Sequence, residues 1–261
     1  MAEIVVQSLN HSFRTPKGIL PVLNGLSFSV PPAQVFTVLG PSGCGKSTLL
    51  RCMSGLLAPT SGTVTLGGQS PATFRQSKQL GFGFQEPSLM DWRTVQDNIS
   101  LPTELGCSPD VADLPRTPTE EMLELIQMTE FRHHYPPQLS GGMKHRTALA
   151  RALILKPKVL LLDEPLAGLD LLTRKELMGQ IGHLLDRQQC TTVIVTHSVE
   201  EAVFWGDRII LLSHRPASII KTVQHAAPHP RSPAYAESQQ FHRIVDECSD
   251  ILLGLKGVAH E

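Results

Sequence analysis

Nine consecutive residues, Gly40-Pro41-Ser42-Gly43-Cys44-Gly45-Lys46-Ser47-Thr48, fit the pattern G-x-x-x-x-G-K-[ST]. The chemistry open to that spacing is phosphate binding. The glycines let backbone N–H groups turn inward around a chain of phosphates. A helix N-terminus adds partial positive charge. Lys46 is placed to reach the β- and γ-phosphates of a nucleoside triphosphate, and Ser47 to offer its hydroxyl to Mg²⁺. Such a loop must stand between a strand and a helix. Val35 to Leu39 reads as a short buried strand, and Thr48 to Met53 opens a helix.

Acids follow later in the chain. Val159-Leu160-Leu161-Leu162-Asp163-Glu164 is a near-continuous apolar run that ends in two carboxylates. Runs of this kind are central parallel strands, and ligands sit at their carboxyl ends. Asp163 is placed to hold the Mg²⁺ shell through water, and Glu164 to polarise an attacking water. Thr191 to Thr196 is a further strand, and His197 follows it level with the two acids, either as a structural histidine or as a γ-phosphate contact. Gln85 follows Leu80 to Phe84 at a strand end. Its carbonyl oxygen suits Mg²⁺ or a water, and an ordinary turn residue is the other reading.

Two features have no place in a single phosphate loop. Leu139-Ser140-Gly141-Gly142 precedes a helix from Met143 to about Leu155. Ser140 fits its N-cap, and two glycines leave bare N–H groups facing outward. This is a second anion site or simply a glycine-softened helix start. Phe13 lies between two N-terminal strands in a polar context, as a core residue or as a ring that stacks on a purine.

The remaining elements must position these groups. Ile4 to Leu9 and Leu23 to Val30 read as strands, the second by its alternation of Leu26, Phe28 and Val30 with small polar residues. Thr63 to Leu66 and Leu80 to Gln85 are short strands. From Glu86 to about Leu155 the chain turns helical. Thr94 to Leu101 is one helix. Another starts with Thr117 as N-cap, Pro118 at N1 and Glu120 closing a capping box, with Met122, Leu125 and Ile126 as its buried stripe. Gly106 to Pro115 reads as a surface loop. Asp170 caps a helix from about Leu172 to Gln188, and Ser198 with Glu201 makes a capping box for the next. Arg208 to Ser213 is a strand, and Ile219 to Val223 adds a hairpin. His225 to Ser232 is a linker, and Gln239 to Leu255 a helix on the outside.

Composition narrows the class. At 261 residues the chain is one large domain or a domain with a sub-lobe. A formal charge of -1 provides no global basic field for nucleic acid. No apolar run approaches the ~20 residues of a membrane span. The start MAEIVVQSLN lacks the basic-then-apolar order of a signal peptide. The five cysteines form neither a metal knuckle nor a disulfide framework, which suits a reduced cytosol. His133-His134 and the His225/His229 pair read as solvated surface.

The order of these features resembles one family. A phosphate loop, Gln85, LSGG at 139–142, LLLDEP at 160–165, GLD at 168–170 and His197 follow one another as in the nucleotide-binding subunit of an ATP-binding-cassette transporter. The resemblance covers roughly residues 3 to 220. FQEPSLMDWRTVQDNI (84–99), LSGGMKHR (139–146) and VTHSVEEAVFWGDRIILLSHRPASI (195–219) further resemble import ATPases of the nitrate, sulfonate and taurine type. The family implies an α/β fold: a phosphate-loop ATPase core with a mainly parallel sheet, an antiparallel β subdomain and an inserted helical subdomain. Its divisions here are 1–86 and 156–223 for the core, 87–155 for the helical subdomain with the signature, and 224–261 for a linker and C-terminal helix.

The resemblance also implies roles. Phe13 stacks on adenine, and Gly40 to Thr48 cradle the phosphates of ATP. Ser47, Asp163 and Gln85 surround Mg²⁺. Glu164 is the base, with His197 holding the γ-phosphate and attacking water. Ser140, Gly141 and Gly142 bind the γ-phosphate held by a second copy, and Asp170 communicates across that seam. The implied partners are membrane permease subunits, a second copy and, indirectly, a solute-binding protein, at the cytoplasmic face of the inner membrane and without nucleic acid. Against the family pattern, Phe13 stands for Tyr, Asp91 for Pro before Trp92, His145 for Gln and Ser198 for Asp. Three other readings compete: a soluble cassette acting on nucleic acid or ribosomes, an exporter ATPase, and a small-molecule kinase. The first needs a second cassette, coiled coil or basic arm. The second is often fused to membrane spans. The third has no use for LSGG.

Overall fold

The computed structural model describes residues 1–105, 115–225 and 232–257. Among the described residues the strands form two sheets. In the smaller, β1 (Ile4–Thr15), β2 (Gly18–Val30) and β4 (Ser61–Leu66) pair antiparallel in the order β2-β1-β4. The first two strands run further than their apolar alternation predicts. They continue into a hairpin closed by Pro16-Lys17, where Thr15 Oγ1 donates to the Gly18 carbonyl at 2.8 Å. Phe13 therefore lies inside β1, opposite Leu20, and not between strands. Backbone pairing sustains this extension while most of its side chains stay in solvent, so hydrophobic patterning cannot signal it.

The larger sheet contains β3 (Val35–Leu39), β5 (Leu80–Gly83), β6 (Val159–Asp163), β7 (Thr191–Thr196), β8 (Arg208–Leu212) and β9 (Ile219–Gln224). Their order is β5-β6-β7-β3-β8-β9, parallel except for β9. Alternate residues feed two cores. Phe36, Val38, Leu161, Val193, Val195 and Ile210 pack towards the antiparallel sheet. Leu39, Leu160, Leu162, Ile194, Ile209 and Leu211 pack towards the helices. Both faces are covered, as continuous apolar strands require.

Nine helices are described: α1 (Lys46–Met53), α2 (Pro71–Gln76), α3 (Val95–Glu104), α4 (Thr119–Leu125), α5 (Gly141–Leu153), α6 (Leu171–Gln188), α7 (Val199–Trp205), α8 (Pro233–Ala236) and α9 (Gln239–Gly257). Helices α3 to α5 bury Ile99, Met122, Leu123 and Leu153 in the same cluster as one face of the large sheet. The start of α4 departs from expectation. Pro118 takes the cap position without a side-chain bond. Thr117 is drawn inward, its N–H donating to Ile154 O at 2.8 Å, and its hydroxyl is buried without a partner. A tertiary hydrogen bond overrides the local capping box. Leu123 joins Met122 and Ile126 in the buried stripe, while Leu125 is only half-buried.

At the C-terminal end, α9 lays Phe241, Ile244 and Cys248 into the main core against α7. His225 is not a solvated residue. Its ring stacks on Tyr235 at 6.3 Å. Residues 106–114 and 226–231, which hold most of the expected loop and linker and His229, lie outside the described residues.

Candidate functional site

The glycine-rich loop leaves the fully buried β3 and enters α1 directly. Gly45 has φ +124°, and a Cβ there would fall 2.8 Å from Val22 Cγ1, so the antiparallel sheet presses against the loop and admits only glycine. No side chain caps α1. Its first N–H groups therefore remain open to an anion. Lys46 is buried within this curve. Its Nζ donates to Gly40 O at 3.0 Å and Pro41 O at 3.2 Å, and lies 3.4 Å from Glu164 Oε1. Cys44 is buried, and burial pushes its thiol pKa up.

The acids arrive from β6. Asp163 ends the strand, and its Oδ1 accepts from Ser47 Oγ at 3.0 Å. Burial raises the Asp163 carboxyl above its ordinary range, against the Ser47 hydrogen bond, which lowers it. Glu164 is held with φ +45°, a left-handed conformation costing on the order of 1–3 kcal/mol. Its N–H donates to Val195 O at 2.9 Å, which anchors the residue to β7. The next turn presents His197, whose Nδ1 is 2.9 Å from Glu164 Oε2. Lys46, Glu164 and His197 thus form one continuous line of contacts at the carboxyl end of the sheet.

A cavity of about 330 Å³ opens over the loop, lined by Phe13, Val22, Gly43, Lys46, Ser47, Gln85 and Glu164 among others. Phe13 is 37% exposed and meets His11 edge-on at 4.6 Å, which leaves a ring face at the cavity wall. Strand β5 stops at Gly83, short of the expected Gln85. Gly83 still pairs with Leu162, and a Cβ there would fall 2.7 Å from Leu162 Cδ2; beyond it the chain leaves the sheet, and the exposed Gln85 lines the cavity. The Ser47 hydroxyl and Asp163 carboxylate, with Gln85 at the same cavity, are hard oxygen donors. That set fits Mg²⁺, which keeps waters and takes only one or two carboxylates beside substrate phosphates. Arg215 also lines the cavity, and nothing in the motif pattern marks it. Its turn is placed by Ala217, whose N–H donates to Val22 O at 2.8 Å and whose carbonyl accepts from Asn24 N–H at 2.9 Å. Such long-range pairing is invisible in sequence.

Ser140, Gly141, Gly142 and Asp170 do not line this cavity. Ser140 caps α5 by accepting the Met143 N–H at 3.3 Å, and Ser140 and Gly141 are exposed. Asp170 Oδ1 accepts the N–H groups of Leu172 and Thr173, each at 3.1 Å, and hydrogen bonds from Thr173 and Leu172 hold its carboxyl below the usual range. The two helix starts touch: a Cβ on Gly142 would fall 2.7 Å from Thr173 Cγ2, and one on Gly141 3.2 Å from Leu169 Cδ2.

A phosphate loop after a central parallel strand, with acids ending the strand two places along the same sheet, defines a phosphate-loop nucleotide-binding protein. The chain belongs to the ABC transporter family, whose model matches residues 23–167. It is 34% identical to the aliphatic sulfonates import ATP-binding protein SsuB of Bacillus cereus, over 92% of each chain. It is 36% identical to the nitrate import ATP-binding protein NrtD of Synechococcus elongatus, over 92% of this chain and 88% of that one. Its fold is similar to the dimeric post-hydrolysis structure of the ATP-binding cassette MJ0796 bound to ADP and Pi, with a TM-score of 0.71, 26% identity and coverage of 86% of this chain and 100% of that one.

Proposed function

We propose that this chain is the ATP-binding and ATP-hydrolysing subunit of an import system, working as a dimer that drives a membrane permease. The observation that carries the reading is the line from Lys46 through Glu164 to His197 beside an uncapped phosphate loop. The likeness to two import ATP-binding proteins over nine-tenths of the chain supports import as the direction. Their named solutes, aliphatic sulfonates and nitrate, support a small anionic cargo such as nitrate, a sulfonate or taurine, handed over by a solute-binding protein. No helix among the described residues is long and apolar enough to cross a membrane. The chain would then sit at the cytoplasmic face, attached through permease subunits. Residues 1–86 and 156–223 form the ATPase core in this reading, 87–155 the lobe that meets the permease, and 224–261 an appended element.

Phe13 stacks on the adenine, and Gly40 to Thr48 wrap the phosphates. Without nucleotide, Lys46 pairs with Glu164. Phosphates compete for the same ammonium, so ATP draws Lys46 away and frees the Glu164 carboxylate to accept a proton from water. His197 orients that carboxylate through Nδ1, and the rest of its ring is left to hold the γ-phosphate and the attacking water. Ser47, Asp163 and Gln85 would hold Mg²⁺, which would supply charge neutralisation at the phosphate oxygens. Ser140, Gly141 and Gly142 of a second copy close over the γ-phosphate, with Asp170 at the seam. ADP lacks that contact, so hydrolysis loosens the pair.

Co-purification tests this reading. The tagged chain is expressed with its genomic neighbours and extracted in mild detergent. A polytopic permease in equal amount is expected. A dimeric ATPase that stays soluble and alone would overturn the transport assignment and leave the cassette chemistry standing.

A further inference from the structure

Glu201 is a buried carboxylate with no role in the reading above. As a capping residue only half of its box forms: Ser198 Oγ accepts the Glu201 N–H at 3.4 Å. The Glu201 carboxylate turns inward instead and is 4% exposed. Its Oε2 accepts from Thr196 Oγ1 at 2.6 Å, and Thr196 Oγ1 accepts the Ser198 N–H at 3.0 Å. Thr196 and Ser198 are the two neighbours of His197. Glu201 therefore closes a ring of hydrogen bonds around the backbone that carries the histidine.

The other carboxylate oxygen looks toward α6. Glu201 Oε1 lies 3.8 Å from Arg174 Nε, a buried N–H with no hydrogen-bond partner. Arg174 stands in the first turn of α6, its own N–H on Asp170 O at 2.9 Å. The same turn carries Thr173, against which Gly142 is packed. Ser198 alone would cap α7, and an apolar residue would fill the space without desolvating a charge. A carboxylate retained there needs another reason.

We propose that Glu201 is a positioning residue for ATP hydrolysis: through Thr196 it sets the backbone that aims His197 at Glu164, and through Arg174 it ties that backbone to the turn of α6 packed on Gly142. The inference rests on the function proposed above. In that reading Ser140–Gly142 serve the ATP held by a second copy, whereas His197 serves the chain's own ATP. The Arg174–Glu201–Thr196 contacts then join the two ATP sites within one subunit, so occupancy of one is felt at the other.

The test is steady-state ATP hydrolysis by the full chain and its E201A, E201Q, T196V and R174M variants, with folding checked by thermal unfolding. E201A and T196V are expected to lower kcat by about ten- to a hundredfold, the scale of a misplaced group, and to leave KM within about twofold. E201Q still accepts from Thr196 and is expected to keep kcat within about twofold of wild type. T196V carries the test if E201A does not fold. Wild-type cooperativity in ATP, with a Hill coefficient above 1 that falls to 1 in R174M, is expected from the link to the second site. Wild-type kcat in E201A or T196V, a loss carried by KM, or an E201Q variant as impaired as E201A overturns the positioning role. A non-cooperative wild type, or an R174M variant with unchanged cooperativity, overturns the link. No hydrolysis by the wild type at all would instead overturn the function on which the inference rests.

Discussion

Lys46 and Glu164 hold each other in the nucleotide-free protein, so the chemistry of this site turns on who pairs with whom. Replacing Glu164 by Gln keeps the shape and removes the base. Turnover is expected to fall at least about a hundredfold, with ATP still bound. Size-exclusion chromatography with ATP should then show a long-lived dimer, and unchanged turnover would remove Glu164 from the mechanism. Asp163 makes a different prediction. Its folded-state pKa lies above that of the unfolded chain because burial penalises the charged form. The folded state thus binds the proton more tightly, and stability of the nucleotide-free protein falls as pH rises from the ordinary carboxylate range through the raised folded value. Asp163→Asn keeps an acceptor for Ser47 and removes that penalty. Its melting temperature at pH 7 without nucleotide or metal should rise by about 2–4 °C, the effect of roughly 1 kcal/mol in a domain of this size. Hydrolysis should be lost in the same variant. A lower melting temperature would show that the buried charge is well compensated. Cys44 is buried with its thiol pKa pushed up, so alkylation near pH 7 should be slow. Once attached, the label should block ATP binding, which a fluorescent ATP analogue reads directly.

Helices α5 and α6 meet where two glycines remove the side chains that would separate them. Gly142→Ala places a methyl 2.7 Å from Thr173 Cγ2, against a neighbouring helix that is packed into the core. Alanine is the better helix former, yet hydrolysis is expected to drop at least about tenfold through the displaced helix start. Nucleotide binding to the chain's own loop should hold, and equal losses in both would contradict the separation of the two sites. Arg151 of α5 donates to the carbonyls of Pro87 at 2.8 Å and Ser88 at 2.9 Å, which fastens the segment after Gln85 to the same helix. Motion of α5 is thereby shared with the stretch that contains Trp92. The C-terminal helix α9 is an integral element, since Phe241, Ile244 and Cys248 complete the main core. Phe241→Ala should cost about 3–5 kcal/mol and lower the melting temperature by roughly 10 °C. An unchanged melting temperature would mark α9 as a detachable appendage.

At the scale of the molecule, the cavity over the phosphate loop lies at the carboxyl ends of the central strands, and the exposed start of α5 lies away from it. In the function proposed above a single copy has no use for that start, and pairing two copies would give it one. The exposed Trp92, at 75% accessibility, stands on the lobe assigned to the permease. Trp92→Ala should leave hydrolysis by the isolated chain within about twofold and reduce recovery of permease in detergent pull-downs. Equal recovery would move the docking surface elsewhere.

The sequence by itself determined the chemistry and the frame. Gly40 to Thr48, Asp163, Glu164 and His197 were legible because phosphate binding constrains residue type and spacing within a few positions. Strands β3, β6 and β7 were legible because burial on both faces demands unbroken apolar runs. Only the tertiary structure decided what depends on partners distant in the chain. The extension of β1 that carries Phe13 relies on backbone pairing with solvent-facing side chains. Gln85 reaches the cavity because β5 ends at Gly83, short of it, and Arg215 because Ala217 is gripped by β2. Thr117 abandons its cap for Ile154, and Glu201 abandons half of its own for Thr196 and Arg174. For Thr117 a long-range hydrogen bond replaces a local one, because burial removes the water that would otherwise satisfy its N–H. For Glu201 the cap gives way to a hydroxyl on the preceding strand and to an ion pair from another helix.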